Sequence, residues 1–218
     1  NRLTKIPGTV PPDHAALLGC AVPTGAGVVL NTLAVQQGSA IAIFGIGGIG
    51  ASAILAARMA GCSHVIAIDV TKQKLDFAKK LGATHLVNAS EKDVLSQLQN
   101  CNGSIDYCLE ASGHKDAMEL AFQLVKDRGG TVVIAGNLKQ GEKIAIDPFD
   151  LIKGKRMIGT WGGETSPDQD FPRYTQAYFE GKLPLGLLIS HQFRLDQINK
   201  ALDVLKSGKA GRIVIDFQ

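Results

Sequence analysis

Residues 40–69 constrain this chain more than any other stretch. Ala40–Phe44 (AIAIF) is a wholly apolar run of the kind needed by a strand buried on both faces. It leads directly into Gly45-Ile46-Gly47-Gly48-Ile49-Gly50, which contains G-x-G-x-x-G. Residues 49–60 then read as a helix, apolar on most sides and stopped by Gly61. A second apolar run, residues 64–68, ends in Asp69, nineteen residues after Gly50. A strand that passes through glycines into a helix and then a second strand predicts a right-handed crossover between parallel strands.

The same arrangement carries a chemical expectation. Gly45 lets the chain turn tightly, Gly47 lets the backbone approach a pyrophosphate, and Gly50 lets helix and strand pack closely. The helix N-terminus, at Gly48 and Ile49, stabilises the phosphate charge. Asp69 stands where a carboxylate accepts hydrogen bonds from an adenosine ribose and repels a 2′-phosphate, which favours NAD over NADP. The rival readings are a plain glycine turn beside a solvated acid, or a methyltransferase-type nucleotide site. The latter usually has looser glycine spacing and a reversed edge strand.

The alternation continues along the chain. A helix with Thr71 as N-cap shows Leu75, Ala78 and Leu81 on one face, with Gly82 beyond its end. Residues 86–88, 105–109, 131–135 and 157–161 read as four more strands, with a helix at residues 116–125. The predicted fold class is therefore α/β, a doubly wound six-stranded parallel sheet. Two flanks fall outside this rhythm. Residues 1–38 carry prolines and a small-residue segment around Cys20. After about Gly162 come Pro-punctuated helices and a last apolar run, residues 213–217, which either edges the sheet or pairs outside the chain.

Charge and cysteine usage narrow the remaining possibilities. The 23 basic and 20 acidic side chains are scattered, so neither a nucleic-acid surface nor a lipid-binding patch is expected. No apolar run approaches the length of a membrane span, and the first residues lack the apolar core of a signal peptide. The first residue is Asn1 rather than Met, so the chain is not expected to begin where its gene does. Cys20, Cys62, Cys101 and Cys108 form no CxxC pair. They read as free thiols in a reducing compartment, and the predicted address is cytoplasmic.

Several segments taken together resemble one family. Gly19-Cys20-x-x-x-Thr24-Gly25-x-Gly27, the glycine turn and Asp69 are similar to the middle of the zinc-dependent medium-chain alcohol dehydrogenases. The likeness continues through Leu109-Glu110-Ala111-Ser112-Gly113, Gly159-Thr160-Trp161-Gly162-Gly163 and the ending Gly211-Arg212-Ile213-Val214-Ile215. It covers essentially the whole chain and is strongest toward the benzyl-alcohol and glutathione-dependent formaldehyde dehydrogenase branch.

The resemblance implies that Cys20 is a catalytic-zinc ligand, joined by a Cys and a His from an upstream domain, with an open position for an alkoxide. Taken alone, Cys20 reads as a small buried hydrophobe. Thr24 and Ile49 are implied to flank the nicotinamide, and Lys74 to reach the adenosine ribose, although by itself it is a solvated helix lysine. Arg212 is implied to hold the pyrophosphate; otherwise it is a surface charge before a strand. Gly159–Trp161, Ala111 and the segment around Asn137 are implied to border the cofactor, with Asn137 and Trp161 in backbone that holds the carboxamide. The five histidines (His14, His64, His85, His114, His191) match no ligand position and read as structural or surface.

The resemblance further implies three parts. Residues 1–21 would link to a catalytic domain, residues 22–163 would bind NAD(H), and residues 164–218 would pack on the catalytic domain. The flanks are then expected to be partly mobile or pressed against a neighbouring molecule. Zinc and an alcohol or aldehyde substrate belong to the full-length enzyme, and a homodimer is expected through the edge strand at residues 157–161. The alternatives are a stand-alone NAD-binding sensor or scaffold, and a zinc-free quinone or enoyl reductase. Cys20 argues against both.

Overall fold

The computed structural model describes residues 3–91, 94–99, 104–208 and 210–217. Six strands form one sheet: β1 Ala40–Phe44, β2 His64–Asp69, β3 His85–Asn88, β4 Tyr107–Glu110, β5 Thr131–Ile134 and β6 Arg156–Gly159. Their order is β3-β2-β1-β4-β5-β6, and every pairing is parallel. Two further strands, β7 Ile189–Arg194 and β8 Arg212–Asp216, make a separate parallel pair. The helices are α1 Pro12–Ala16, α2 Ala21–Gly27, α3 Gly48–Met59, α4 Lys72–Lys80, α5 Val94–Gln99, α6 Lys115–Leu124, α7 Pro148–Ile152, α8 Pro167–Phe179 and α9 Ile198–Lys206.

The period-two alternation of β1 divides the core. Ile41 and Ile43 face one layer with Ile54 of α3, while Ala42 and Phe44 face the other with Phe122 of α6. Strand order reverses between β1 and β4, because β2 and β3 extend to one side and β4 to β6 to the other. A crevice therefore opens beyond the carboxyl ends of β1 and β4, and that is where ligands of open α/β sheets bind.

Several expectations need correcting. The sixth strand is Arg156–Gly159 rather than residues 157–161, because Gly162 and Gly163 turn the chain at φ +83° and +69° and leave Trp161 92% exposed. The fourth is Tyr107–Glu110; Ile105, expected to open it, forms only an isolated bridge to Val125. Thr71 stands at the N-cap of α4, yet its side chain makes no capping bond, and its backbone N–H instead donates to Asp69. The terminal strand does not edge the six-stranded sheet; within the chain β8 pairs with β7.

Parts of both flanks pack on the domain itself. The segment of prolines and small residues folds as α2, continued by a π-helical turn at Val28–Thr32. Leu17, Leu18, Tyr174, Leu183, Leu185 and Leu188 all belong to the α3-side core. Their burial has a simple cause, because α3 is apolar nearly all round and must be covered on the face that turns away from the sheet. Among the described residues no single helix is long and apolar enough to cross a membrane.

This packing makes residues 164–188 part of the domain's stability. Leu185 is fully buried, so Leu185→Ala should destabilise the chain by about 2–5 kcal/mol. Urea unfolding followed by circular dichroism checks this. An unchanged midpoint would mean that the segment lies outside the cooperative unit.

Candidate dinucleotide site at the sheet switch point

The glycine turn is built by two close approaches. A Cβ on Gly50 would lie 2.1 Å from the Gly45 carbonyl oxygen, so the first turn of α3 rests directly on the exit of β1. Gly45 itself has φ +84°, a left-handed conformation that other residues adopt only at a cost. Gly47 is the N-cap of α3, and a Cβ there would meet nothing within 4 Å. The backbone at the helix start is therefore open to approach, and the first N–H groups of a helix have no partner inside it.

Asp69, 7% exposed, braces this turn from the neighbouring strand. Its Oδ2 accepts from Ile46 N at 2.8 Å and its Oδ1 from Thr71 N at 2.9 Å. Lys74 of α4 brings its Nζ to 3.9 Å from Asp69 Oδ2, so this lysine is drawn toward the acid rather than into solvent. Each carboxylate oxygen can accept more than one bond, so Asp69 keeps acceptor capacity on the crevice side.

Arg212 comes from the far end of the chain. The β7–β8 pair places it at the start of β8, and its guanidinium lies across Gly48, where a Cβ would fall 2.2 Å from Arg212 Nε. That Nε is buried and has no hydrogen-bond partner among the described residues. A cleft of about 330 Å³ separates Arg212 and Ile213–Ile215 from Ala16, Leu17, Gly19, Cys20 and Ala21. Cys20 is exposed at the start of α2, and Thr24, one turn further, donates its hydroxyl to the Cys20 carbonyl at 2.8 Å. Cys62 and Cys108 are buried, and burial raises the Cys62 thiol to about 11, so neither is a thiolate near neutral pH. Cys101 lies outside the described residues.

The loops after β4 and β5 close the same end. Ala111 N donates to the Phe44 carbonyl at 2.9 Å, and the Asn137 carbonyl packs on Gly113, 2.7 Å from where a Cβ would sit. The structure thus brings Gly45, Gly47, Gly48, Ile49, Gly50, Asp69 and Lys74 together with Arg212, and sets Cys20 across a cleft from that arginine. It leaves the Trp161 indole in solvent.

One residue at this end received no role from the sequence. Glu110 is fully buried, and its Oε1 accepts from Ser112 N at 2.8 Å, Gly113 N at 3.0 Å and the Ser112 hydroxyl. Its Oε2 has no partner among the described residues. The available signal was an acid closing an apolar strand, the same signal that marked Asp69.

These residues fit a dinucleotide. A buried, partnerless guanidinium N–H over an open helix N-terminus is a place for a phosphate, and a strand-end carboxylate lies beside it. A catalytic zinc at Cys20 does not fit the residues of this chain by themselves. Among the described residues no group of three or more His, Cys, Asp and Glu could hold a metal, and Cys20 is a single donor.

Comparison with known proteins agrees with this geometry. A family model described as zinc-binding dehydrogenase matches residues 48–180. The chain is 36% identical over 218 residues to alcohol dehydrogenase class-3 of Myxine glutinosa, covering 99% of this chain and 58% of that protein. Benzyl alcohol dehydrogenase from Acinetobacter calcoaceticus superposes with a TM-score of 0.93 at 30% identity, over 99% of this chain and 59% of the other. A protein from Sinorhizobium meliloti described as a zinc-binding dehydrogenase, solved with NADP bound, gives 0.80 at 30% identity, over 97% and 61%. The chain spans about 58% of the length of the curated relatives it matches. With its sheet order, its glycine turn and a family model covering more than half its length, the chain belongs to the zinc-binding dehydrogenase family.

Proposed function

We propose that this chain is the NAD(H)-binding part of an alcohol dehydrogenase that transfers hydride between an alcohol and the nicotinamide. The observation that carries the reading is the buried Arg212 Nε without a partner, lying over Gly48 at the N-terminus of α3. The pyrophosphate of the cofactor would take the Arg212 guanidinium and the open N–H groups of the helix start. Asp69 would accept the ribose hydroxyls, with Lys74 beside it. Thr24 and Ile49 would border the nicotinamide, and the backbone near Ala111, Asn137 and Trp161 would border its carboxamide end. When bound, the cofactor supplies the hydride acceptor; these residues bind and orient it.

In this reading Cys20 is a zinc ligand whose companion ligands come from the share of the relatives' length that the chain does not span. The domain division at residues 1–21, 22–163 and 164–218 belongs to the same proposal. Tyr174, Leu183, Leu185 and Leu188, all from the last part, nevertheless pack in the α3-side core.

A twofold dimer through β6 is part of the proposal. Among the described residues this strand pairs only with β5, so its outer edge leaves backbone groups open. Ile158 is 40% exposed on it, and α7 just before it exposes Phe149, Leu151 and Ile152. A second copy of the chain, pairing edge to edge, would cover this apolar strip. Sedimentation at tens of micromolar should show a dimer that Ile158→Lys dissociates. A monomer at every concentration would remove the proposal.

Cofactor preference follows from Asp69. The chain should bind NAD(H) at least tenfold more tightly than NADP(H), as measured by calorimetric titration. Asp69→Ser should narrow that ratio, whereas Arg212→Ala should weaken both cofactors alike, because it meets a phosphate that both share. Equal affinities in the unaltered chain would sink the role given to Asp69.

The 218-residue chain alone should bind NAD(H) yet hold no stoichiometric catalytic zinc at Cys20 and turn over no alcohol. Losing the groups that position a substrate removes many orders of magnitude in rate. Metal analysis and nicotinamide absorbance over a panel of aliphatic and aromatic alcohols test both halves. Turnover abolished by a chelator would show that the catalytic apparatus lies within these residues. In a longer protein that is active, Cys20→Ala should cost zinc and activity together.

A further inference from the structure

At the end of the sheet opposite the crevice, two imidazoles stand side by side. His64 opens β2 and His85 opens β3, on adjacent parallel strands. Their ring centroids are 5.3 Å apart and their planes are tilted by 31°. Both rings are partly exposed.

A hydroxyl holds the Nδ1 side of each ring. His64 Nδ1 lies 2.9 Å from Ser63 Oγ, and that hydroxyl gives its only proton to the Gly38 carbonyl at 2.6 Å. His85 Nδ1 lies 2.9 Å from Thr84 Oγ1, which is also 3.2 Å from the Val65 carbonyl oxygen and accepts from Val65 N at 2.9 Å. Ser63 Oγ, its proton directed at a carbonyl, can accept from His64 Nδ1, and Thr84 Oγ1 stands in the same relation to His85 Nδ1. Nδ1 is thus the nitrogen engaged by the protein on each ring, and among the described residues neither Nε2 has a hydrogen-bond partner. Around metal-bound histidines, too, the non-ligating nitrogen is held by a fixed oxygen that orients the ring.

The spacing agrees with a shared ion. Two imidazoles that hold one ion through bonds of about 2.0–2.1 Å at a tetrahedral angle have ring centres roughly 5 Å apart. We propose that His64 and His85 form a two-histidine site for a divalent transition-metal cation of the zinc, nickel and copper class, with water completing the coordination. Imidazole nitrogen selects that class over magnesium or calcium, with copper(II) the tightest. No third protein ligand joins them among the described residues, so the site is a weak, exchangeable one. Its occupant would bridge the starts of β2 and β3 and stabilise the folded chain in proportion to its concentration.

The site is independent of the cofactor, because it lies at the other end of the same strands. The test is therefore a calorimetric titration of zinc chloride into the chain carrying Cys20→Ser, which removes the exposed thiol as a competing donor. One zinc should bind, and either His64→Gln or His85→Gln should weaken it at least tenfold with NAD(H) affinity unchanged within twofold. As a measurement that needs no histidine variant, substoichiometric copper(II) should broaden the ring resonances of His64 and His85 before those of His14, His114 and His191. Zinc affinity that survives the loss of both imidazoles, or copper broadening that starts at another histidine, would overturn the proposal.

Discussion

The contact on which the rest of the structure depends is backbone against backbone, with Gly50 of α3 resting on the Gly45 carbonyl at the exit of β1. No side chain fits between them, so the helix axis is drawn down onto the sheet and its N-terminus is aimed at the end of β1. The carboxylate of Asp69 then ties this turn to the second strand through Ile46 N. A single close approach thereby sets the position of α3, the core beneath it, and the direction in which the unpaired N–H groups at its start face.

The C-terminal part of the chain completes that arrangement from a distance. The β7–β8 pair is separate from the main sheet, yet it delivers Arg212 onto Gly48. The candidate site thus draws on residues 20–24, 45–50, 69–74 and 212, segments far apart along the chain. Burial of Tyr174, Leu183, Leu185 and Leu188 in the α3-side core fixes the route by which the chain returns.

What was legible in the sequence was what local pattern determines. The apolar strands, their order of appearance and the glycine turn follow from periodicity over a few residues, and they give the doubly wound sheet. The segment Ala21–Thr32 was not legible, because Pro23 and two glycines interrupt any helical period and its helix is held by packing on α3. The partner of β8 was missed for another reason. β7 (Ile-Ser-His-Gln-Phe-Arg) mixes polar and apolar residues, and the pairing is non-local. The seat of Arg212 on Gly48 is also non-local and was reachable only through resemblance, whereas Asp69 announced itself by its distance from the glycines. Neither the hydroxyl partners that fix His64 and His85 nor the burial of Glu110 could be read before the strands were placed beside one another.

Asp69 is engaged before any ligand arrives, with each carboxylate oxygen already accepting a backbone N–H. In the proposed reading it meets the ribose in a locked rotamer, so the ordering entropy of that side chain, about 0.5–1.5 kcal/mol for a mobile one, is already spent in folding. The same economy limits how the protein can change. A substitution that admits a phosphorylated ribose also releases the Ile46 and Thr71 amides from their acceptor, so cofactor preference and turn stability cannot drift independently at this position. A lineage moving from one cofactor to the other would need a compensating acceptor for those two amides, supplied by a second substitution nearby.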